Sequence, residues 1–325
     1  MKSRRDLLVG AVTSAACTLP LLARAQPQNL HRIVVGFAPG GSTDVMARML
    51  AQRLQLKGGT WIVDNKPGAA GRVAIQEVKN APADGRTLLL TPDPMMTLYP
   101  LVYRRLSYDP VADFQPVTPI ATVPMGLAVG PMVPASVKTL ADFAQWCKED
   151  PKRAAYGTAG AGTTLHFIGQ MFGKANGFNF LHVPYRGGAP AAQDVMGGQI
   201  ASSINVISEL VQLSSSGKLR VLAITGAQRS AFLPNVPTVA QSGHHSLEST
   251  AWFGTLLRSG TSQSLVQQTH ALVSEACATP EFQEGMKKLS YDVTTSSPRS
   301  FAALLQSDIG RWAPIVKETG YSIDE

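Results

Sequence analysis

Two glycine-rich turns hold the residue types best suited to gripping a small ligand. The first lies in Ile33-Val-Val-Gly-Phe-Ala-Pro-Gly-Gly-Ser-Thr-Asp-Val-Met-Ala-Arg48. Apolar residues ending at Phe37 read as a buried strand, Ala38, Pro39, Gly40 and Gly41 as a turn, and Ser42, Thr43 and Asp44 as helix-capping types. A strand that ends in a glycine turn at a helix start leaves backbone N–H groups unpaired, and the helix dipole favours negative charge there. The glycines let a ligand approach the backbone closely. The second turn, Tyr156-Gly-Thr-Ala-Gly-Ala-Gly-Thr-Thr-Leu-His166, repeats the arrangement with Thr158, Ala159, Gly160, Gly162, Thr163 and Thr164. The chemistry implied is non-covalent capture of a carboxylate or phosphate. Neither turn carries the Gly-x-Gly-x-x-Gly of dinucleotide sites or the Gly-Lys-Ser/Thr of nucleotide sites. An ordinary βα turn with a well-capped helix is the other reading of the first.

Catalytic groups are harder to assemble. His166 follows the second turn as a general base or as a buried, hydrogen-bonded structural residue; no partner acid or nucleophile is evident, and no Gly-x-Ser-x-Gly elbow occurs. His244 and His245 are adjacent in a loop without suitably spaced acids or cysteines, so no metal site is expected. Asp93, between Pro92 and Pro94, stands where a third strand ends and either lines a cleft or simply forms a turn. Trp252 and Trp312 read as core. No cofactor is implied.

Strand-like and helix-like segments alternate from Ile33 onward, the pattern of a doubly wound, mostly parallel α/β sheet. A second series begins near Pro124 with Gly126-Leu-Ala-Val129, and after Leu257 the pattern turns helical: 264–278, 280–289 and 298–319. The expected architecture is therefore two α/β lobes, residues 26–125 plus 252–325 and residues 126–251. Ligands of open α/β folds bind beyond the carboxyl ends of the strands, where both glycine turns fall. Facing turns would grip one anion from two sides.

The amino-terminal residues read as an address. Lys2, Arg4 and Arg5 precede an apolar stretch from Leu7 to Leu22, and Ala23-Arg-Ala25 offers a cleavage site near Ala25. Ser3-Arg-Arg-Asp-Leu-Leu8 matches a twin-arginine export signal, with a general secretory signal as the alternative. The location implied is periplasmic. The 325-residue chain carries a formal charge of +7, and loss of residues 1–25 removes a net three positive charges, leaving +4. With no Lys/Arg cluster, that balance does not suit nucleic acid but does suit an anionic small molecule. Cys147 and Cys277 make neither a disulfide framework nor a metal site; a single bridge between them stays open.

Taken in order, several motifs resemble the Bug-type substrate-binding proteins of tripartite tricarboxylate transporters. They are Phe37-Ala-Pro-Gly-Gly-Ser-Thr-Asp44, Val63-Asp-Asn-Lys-Pro-Gly-Ala-Ala-Gly71, Asp84-Gly-Arg-Thr-Leu-Leu89, Thr158-Ala-Gly-Ala-Gly-Thr-Thr-Leu-His166, Val183-Pro-Tyr-Arg-Gly-Gly-Ala-Pro190, Gly197-Gly-Gln199, Gly217-Lys-Leu-Arg-Val-Leu-Ala223 and Leu233-Pro-Asn-Val-Pro-Thr238. The resemblance implies a type II, Venus-flytrap periplasmic binding protein that holds a small carboxylate between its lobes and serves membrane transporter subunits or, alternatively, a membrane sensor. An exported hydrolase is a third reading. The family's two ligand-holding loops match Phe37–Asp44 and Thr158–Thr164, and His166 and Arg186 match positions near the cleft. The chain departs from the family after Gly-Gly-Gln: Ala201 and Asn205 stand where acids are usual, which changes the polarity expected beside the ligand.

Overall fold

A computed structural model describes residues 30–214 and 217–324. The expected export signal and the cleavage site near Ala25 lie outside the described residues.

Ten strands organise the described residues: β1 (Leu30–Val35), β2 (Thr60–Asn65), β3 (Thr87–Pro92), β4 (Phe114–Val129), β5 (Ala155–Thr158), β6 (Leu181–Pro184), β7 (Ser202–Val206), β8 (Arg220–Ile224), β9 (Thr250–Arg258) and β10 (Asp292–Val293). They form two half-sheets that share β4. From Phe114 to Pro124, β4 pairs with β9; from Met125 to Val129 it pairs with β7 on one side and β8 on the other. The first half runs β2-β1-β3-β9-β4, with the two-residue β10 against β4, and the second β6-β5-β7-β4-β8. Both halves follow one rule. Three parallel strands lead, and a strand from elsewhere in the chain then enters antiparallel beside the third.

The sequence dictates this burial strand by strand. Ile33, Val34 and Val35 of β1 and Leu88, Leu89 and Leu90 of β3 are all fully buried. Such continuous apolar runs suit parallel strands covered on both faces. Successive side chains point to opposite faces, so Val34 and Leu89 join one core cluster while Ile33, Val35, Leu88 and Leu90 join another. The long final helix, Pro298–Thr319, crosses β4 and the short helices Pro94–Thr97 and Tyr99–Val102. The helices Gln263–Cys277 and Pro280–Lys288 pack on the first helix, Ser42–Gln55. The chain end thus returns to cover the first half.

One sequence expectation needs correction. Only 126–129 reads as strand, because Pro116, Pro119 and Pro124 punctuate the residues before it, yet β4 spans 16 residues. Proline donates no ladder hydrogen bond and concentrates at bulges and edges. Here the register shifts between Pro116 and Thr118 and again between Pro119 and Ala121, so two of the prolines fall at irregularities that tolerate them. Cys147 and Cys277 are unpaired, each fully buried in a different core cluster, and burial pushes both thiols up to about 12.

Candidate ligand-binding cavity

A cavity of about 450 Å³ opens between the two halves. Phe37, Asp93, Tyr99, Tyr103 and Phe253 line it from the first half; Met125, Val206 and the segment around Gly160 and Thr164 line it from the second.

The first glycine turn contributes only Phe37 to the wall. Ala38, Pro39, Gly40, Gly41 and Ser42 are exposed beside it. Asp44 is turned inward and 2 % exposed. Its Oδ2 accepts the Gly40 N–H and Arg48 Nε, each at 2.9 Å, and its Oδ1 accepts Asn65 Nδ2 at 2.9 Å. Asn65 also donates to the Phe37 carbonyl. Burial pushes the Asp44 carboxyl up, but the Arg48, Gly40 and Asn65 hydrogen bonds outweigh it and hold the group below its ordinary value. Asp44 therefore ties the turn to the helix and β2. Gly40 has φ +89°, a backbone state open mainly to glycine. The helix cap is Gly41, without a side-chain cap, and among the described residues the N–H groups of Ser42, Thr43 and Asp44 take no backbone partner.

The second turn presses directly on the cavity. Ala159, Gly160, Thr163 and Thr164 form part of its wall. Thr163 caps the helix Thr164–Ala175: its hydroxyl accepts the His166 N–H at 3.4 Å and donates to the Gly160 carbonyl at 3.0 Å. Thr158 is fully buried behind the turn, its hydroxyl 2.7 Å from His182 Nε2. Gly162 has φ +70° and donates its N–H to His166 Nδ1 at 3.2 Å. His166 is thus committed to holding the turn. It is 3 % exposed, its ring stacks on His182 at 4.0 Å, and burial, aided by His182, lowers it to about 3. A neutral imidazole whose acceptor nitrogen is occupied is poorly placed as a general base.

Asp93 joins the halves. It is 5 % exposed at the end of β3. Thr164 Oγ1 donates to its Oδ2 at 3.2 Å across the cavity, and the Trp252 N–H donates to its Oδ1 at 3.3 Å. Asp308 stands close enough to act on it electrostatically and itself accepts Trp252 Nε1 at 2.9 Å. Burial, and secondarily the Asp308 charge, raise the Asp93 carboxyl to about 8. Near neutral pH it is protonated and able to donate a hydrogen bond.

Arg186 is exposed and lies outside the cavity wall. Asn205 is fully buried; its Nδ2 donates to the Gly188 carbonyl at 3.3 Å, while its Oδ1 has no hydrogen-bond partner among the described residues. The sequence reading missed the aromatic wall. Tyr99 and Tyr103, one helical turn apart, were its visible signal. Phe253 sits in a strand whose apolar run reads as core.

Two α/β halves around a cavity with a helix N-terminus and a neutral acid in its wall define a cleft-type binding protein. Residues 45–321 match the family described as tripartite tricarboxylate transporter family receptor. The chain belongs to that family. It is 30 % identical over 311 residues to protein BugT of Bordetella pertussis, covering 95 % of each chain. Among solved structures, R. palustris Rpa4515 with adipate superposes at a TM-score of 0.81 with 30 % identity, covering 91 % of this chain and 99 % of that one. The periplasmic binding protein BugD superposes at 0.78 with 31 % identity and the same coverages. These relatives are two-lobed binding proteins, and the chain is accordingly a binding protein rather than an enzyme, which retires the hydrolase reading. Among the described residues no helix is long and apolar enough to cross a membrane.

Proposed function

We propose that the chain captures a small carboxylate in the cavity between its halves and delivers it in the periplasm to a tripartite membrane transporter. The single observation that carries this reading is the Thr164–Asp93 hydrogen bond at the N-terminus of helix Thr164–Ala175. It brings a hydroxyl, a protonated acid and the positive end of a helix dipole to one point in the cavity wall, an arrangement favourable to a carboxylate. The N–H groups of Ala161, Thr163, Thr164 and Leu165 take no backbone partner among the described residues and supply further donors. In this reading Phe37, Asp93, Ala159, Gly160, Thr163 and Thr164 contact the ligand. Ala38, Pro39, Gly40, Gly41 and Ser42 close over it, Asp44, Thr158, Gly162 and His166 hold the turns in shape, and Arg186 and Asn205 border the cleft. Lobes of residues 26–125 plus 252–325 and 126–251 move about the strands that join them, and residues 1–25 direct export. The family's description as a transporter receptor favours a transporter over a sensor as partner.

A thermal-shift screen of mono-, di- and tricarboxylates tests this. A ligand at one hundred times its dissociation constant stabilises the folded state by about 2.7 kcal/mol, a shift such a screen resolves. Absence of a shift with every acid would remove the reading's support.

A further inference from the structure

The glycine turn that presses on the cavity from the second half is backed by residues of the first. The final helix ends at Thr319, and Gly320, at φ +65°, turns the chain away from it. Residues 321–324 then run beside residues 102–104. The Ile323 N–H donates to the Val102 carbonyl at 2.7 Å, the Arg104 N–H donates to the Ile323 carbonyl at 3.0 Å, and Arg104 Nη1 lies 2.7 Å from Asp324 Oδ1. Side chains alternate along this strap: Tyr321 and Ile323 are half-buried, Ser322 and Asp324 exposed. The inner pair rests on Gly162. A Cβ on that glycine would come within 3.3 Å of both Tyr321 Cε1 and Ile323 Cδ1, and within 3.6 Å of Val102 Cγ2. The Tyr321 ring also stands edge-on to His166, with centroids 4.9 Å apart and planes at 78°. His166 Nδ1 accepts the Gly162 N–H. The ring that shapes the turn is thus held by His182 from its own half and by Tyr321 from the other. Neither Tyr321 nor Ile323 lines the cavity.

Resting on the carboxylate reading of the site, we infer that Tyr321, with Ile323 beside it, is a positioning residue for ligand capture, holding the second glycine turn in its binding shape from the opposite half. A helix N-terminus serves an anion only where its free N–H groups converge. The turn that must present them is built from Ala159, Gly160, Ala161 and Gly162, which have little side-chain bulk to fix it, and glycine loses the most conformational freedom on being ordered. Packing from behind meets that cost before the ligand arrives, and such preorganisation raises affinity without adding a ligand contact. Because the strap belongs to the same half as Asp93, it also sets where Thr164 stands against that carboxyl.

Amide hydrogen exchange of the full chain without ligand, paired with titration calorimetry at pH 7, tests this. Adipate, malate, citrate and benzoate are the probes, and the acid that binds wild type most tightly is carried through the variants. Tyr321→Ala should speed exchange of the Gly162 amide about tenfold and weaken binding about tenfold. Tyr321→Phe, which keeps the ring, should restore both. Ile323→Ala should show the same two effects in smaller measure, and it carries the test if Tyr321→Ala does not fold. Phe282→Leu, in the core cluster on the far side of the first half, should lower Tm and move neither readout. Unchanged Gly162 exchange in the strap variants, faster exchange with undiminished affinity, or equal effects from Phe282→Leu would each overturn the inference and leave the carboxylate reading standing. If none of the four acids binds wild type, the carboxylate reading fails, and the inference with it.

Discussion

Replacing Asp93 with asparagine tests the electrostatics of the cavity without removing its hydrogen bonds. The new side-chain carbonyl still accepts the Trp252 N–H, and the new amide still meets the Thr164 hydroxyl, so the change is chiefly the loss of a titrating proton. In the wild type, burial and then Asp308 hold the folded carboxyl at about 8, far above the 3.8 of the free side chain. A carboxyl raised by folding contributes stability that is fully present below its unfolded value and lost as pH rises through the folded one. The slope is at most about 1.4 kcal/mol per pH unit. Between pH 5.5 and 7.5 the wild type should therefore lose up to about 2.7 kcal/mol that Asp93→Asn does not lose. Asp308 is itself raised by burial, a cause that the substitution leaves in place. For a chain of this size the difference corresponds to roughly 1.5–2 °C in Tm per kcal/mol. Scanning calorimetry of both chains at pH 5.5, 6.5 and 7.5 checks it; titrations shared by both chains cancel in the difference. The advantage of the variant over wild type should grow steadily with pH. Parallel curves would show that Asp93 is ionised throughout and would refute the reasoning about its burial.

His166, lowered to about 3 by burial and by His182, works in the opposite direction. A depressed imidazole contributes stability present above its unfolded value near 6.5 and lost as pH falls toward the folded one, so His166→Gln should reduce the loss in urea midpoint between pH 7 and pH 5 by the equivalent of up to about 2 kcal/mol. Thr163→Val removes the acceptor for the His166 N–H and the donor to the Gly160 carbonyl; a loss of about 1 kcal/mol in chemical denaturation is expected for a helix cap, and unchanged stability would deny the cap its role. Thr164→Val breaks the hydrogen bond across the cavity. One neutral hydrogen bond contributes about 1 kcal/mol, so carboxylate affinity by calorimetry should fall about fivefold; undiminished affinity would place the anion elsewhere.

Features set by local pattern were legible in the sequence; those set by packing were not. The two glycine turns, the alternating strands and the late helices declare themselves through short-range signals such as β-branched runs, Pro-Gly-Gly and hydroxyl caps. The final helix begins at Pro298 and ends at Thr319 as its spacing predicts. The long β4 was hidden because a proline reads as an interruption, while the register shifts that accommodate two of its prolines exist only against β9. The helix Ile207–Ser214, eight residues directly after β7, also escaped notice. Within the site, Thr164 and Asp93 are 71 residues apart, and only tertiary closure brings them within 3.2 Å. The state of Asp93 depends in turn on Asp308 and Trp252, which arrive from the far end of the chain. The inward turn of Asp44 depends on Asn65 of β2.

A crystal structure of the chain with the tightest-binding acid of the panel tests the central claim most directly. The carboxylate should lie at the N-terminus of helix Thr164–Ala175, within hydrogen-bond distance of the Thr164 hydroxyl and of Asp93, with its body against Phe253 and Tyr103. An acid seated outside this cavity, such as in the groove beside Lys174 and Ser246, would contradict the account.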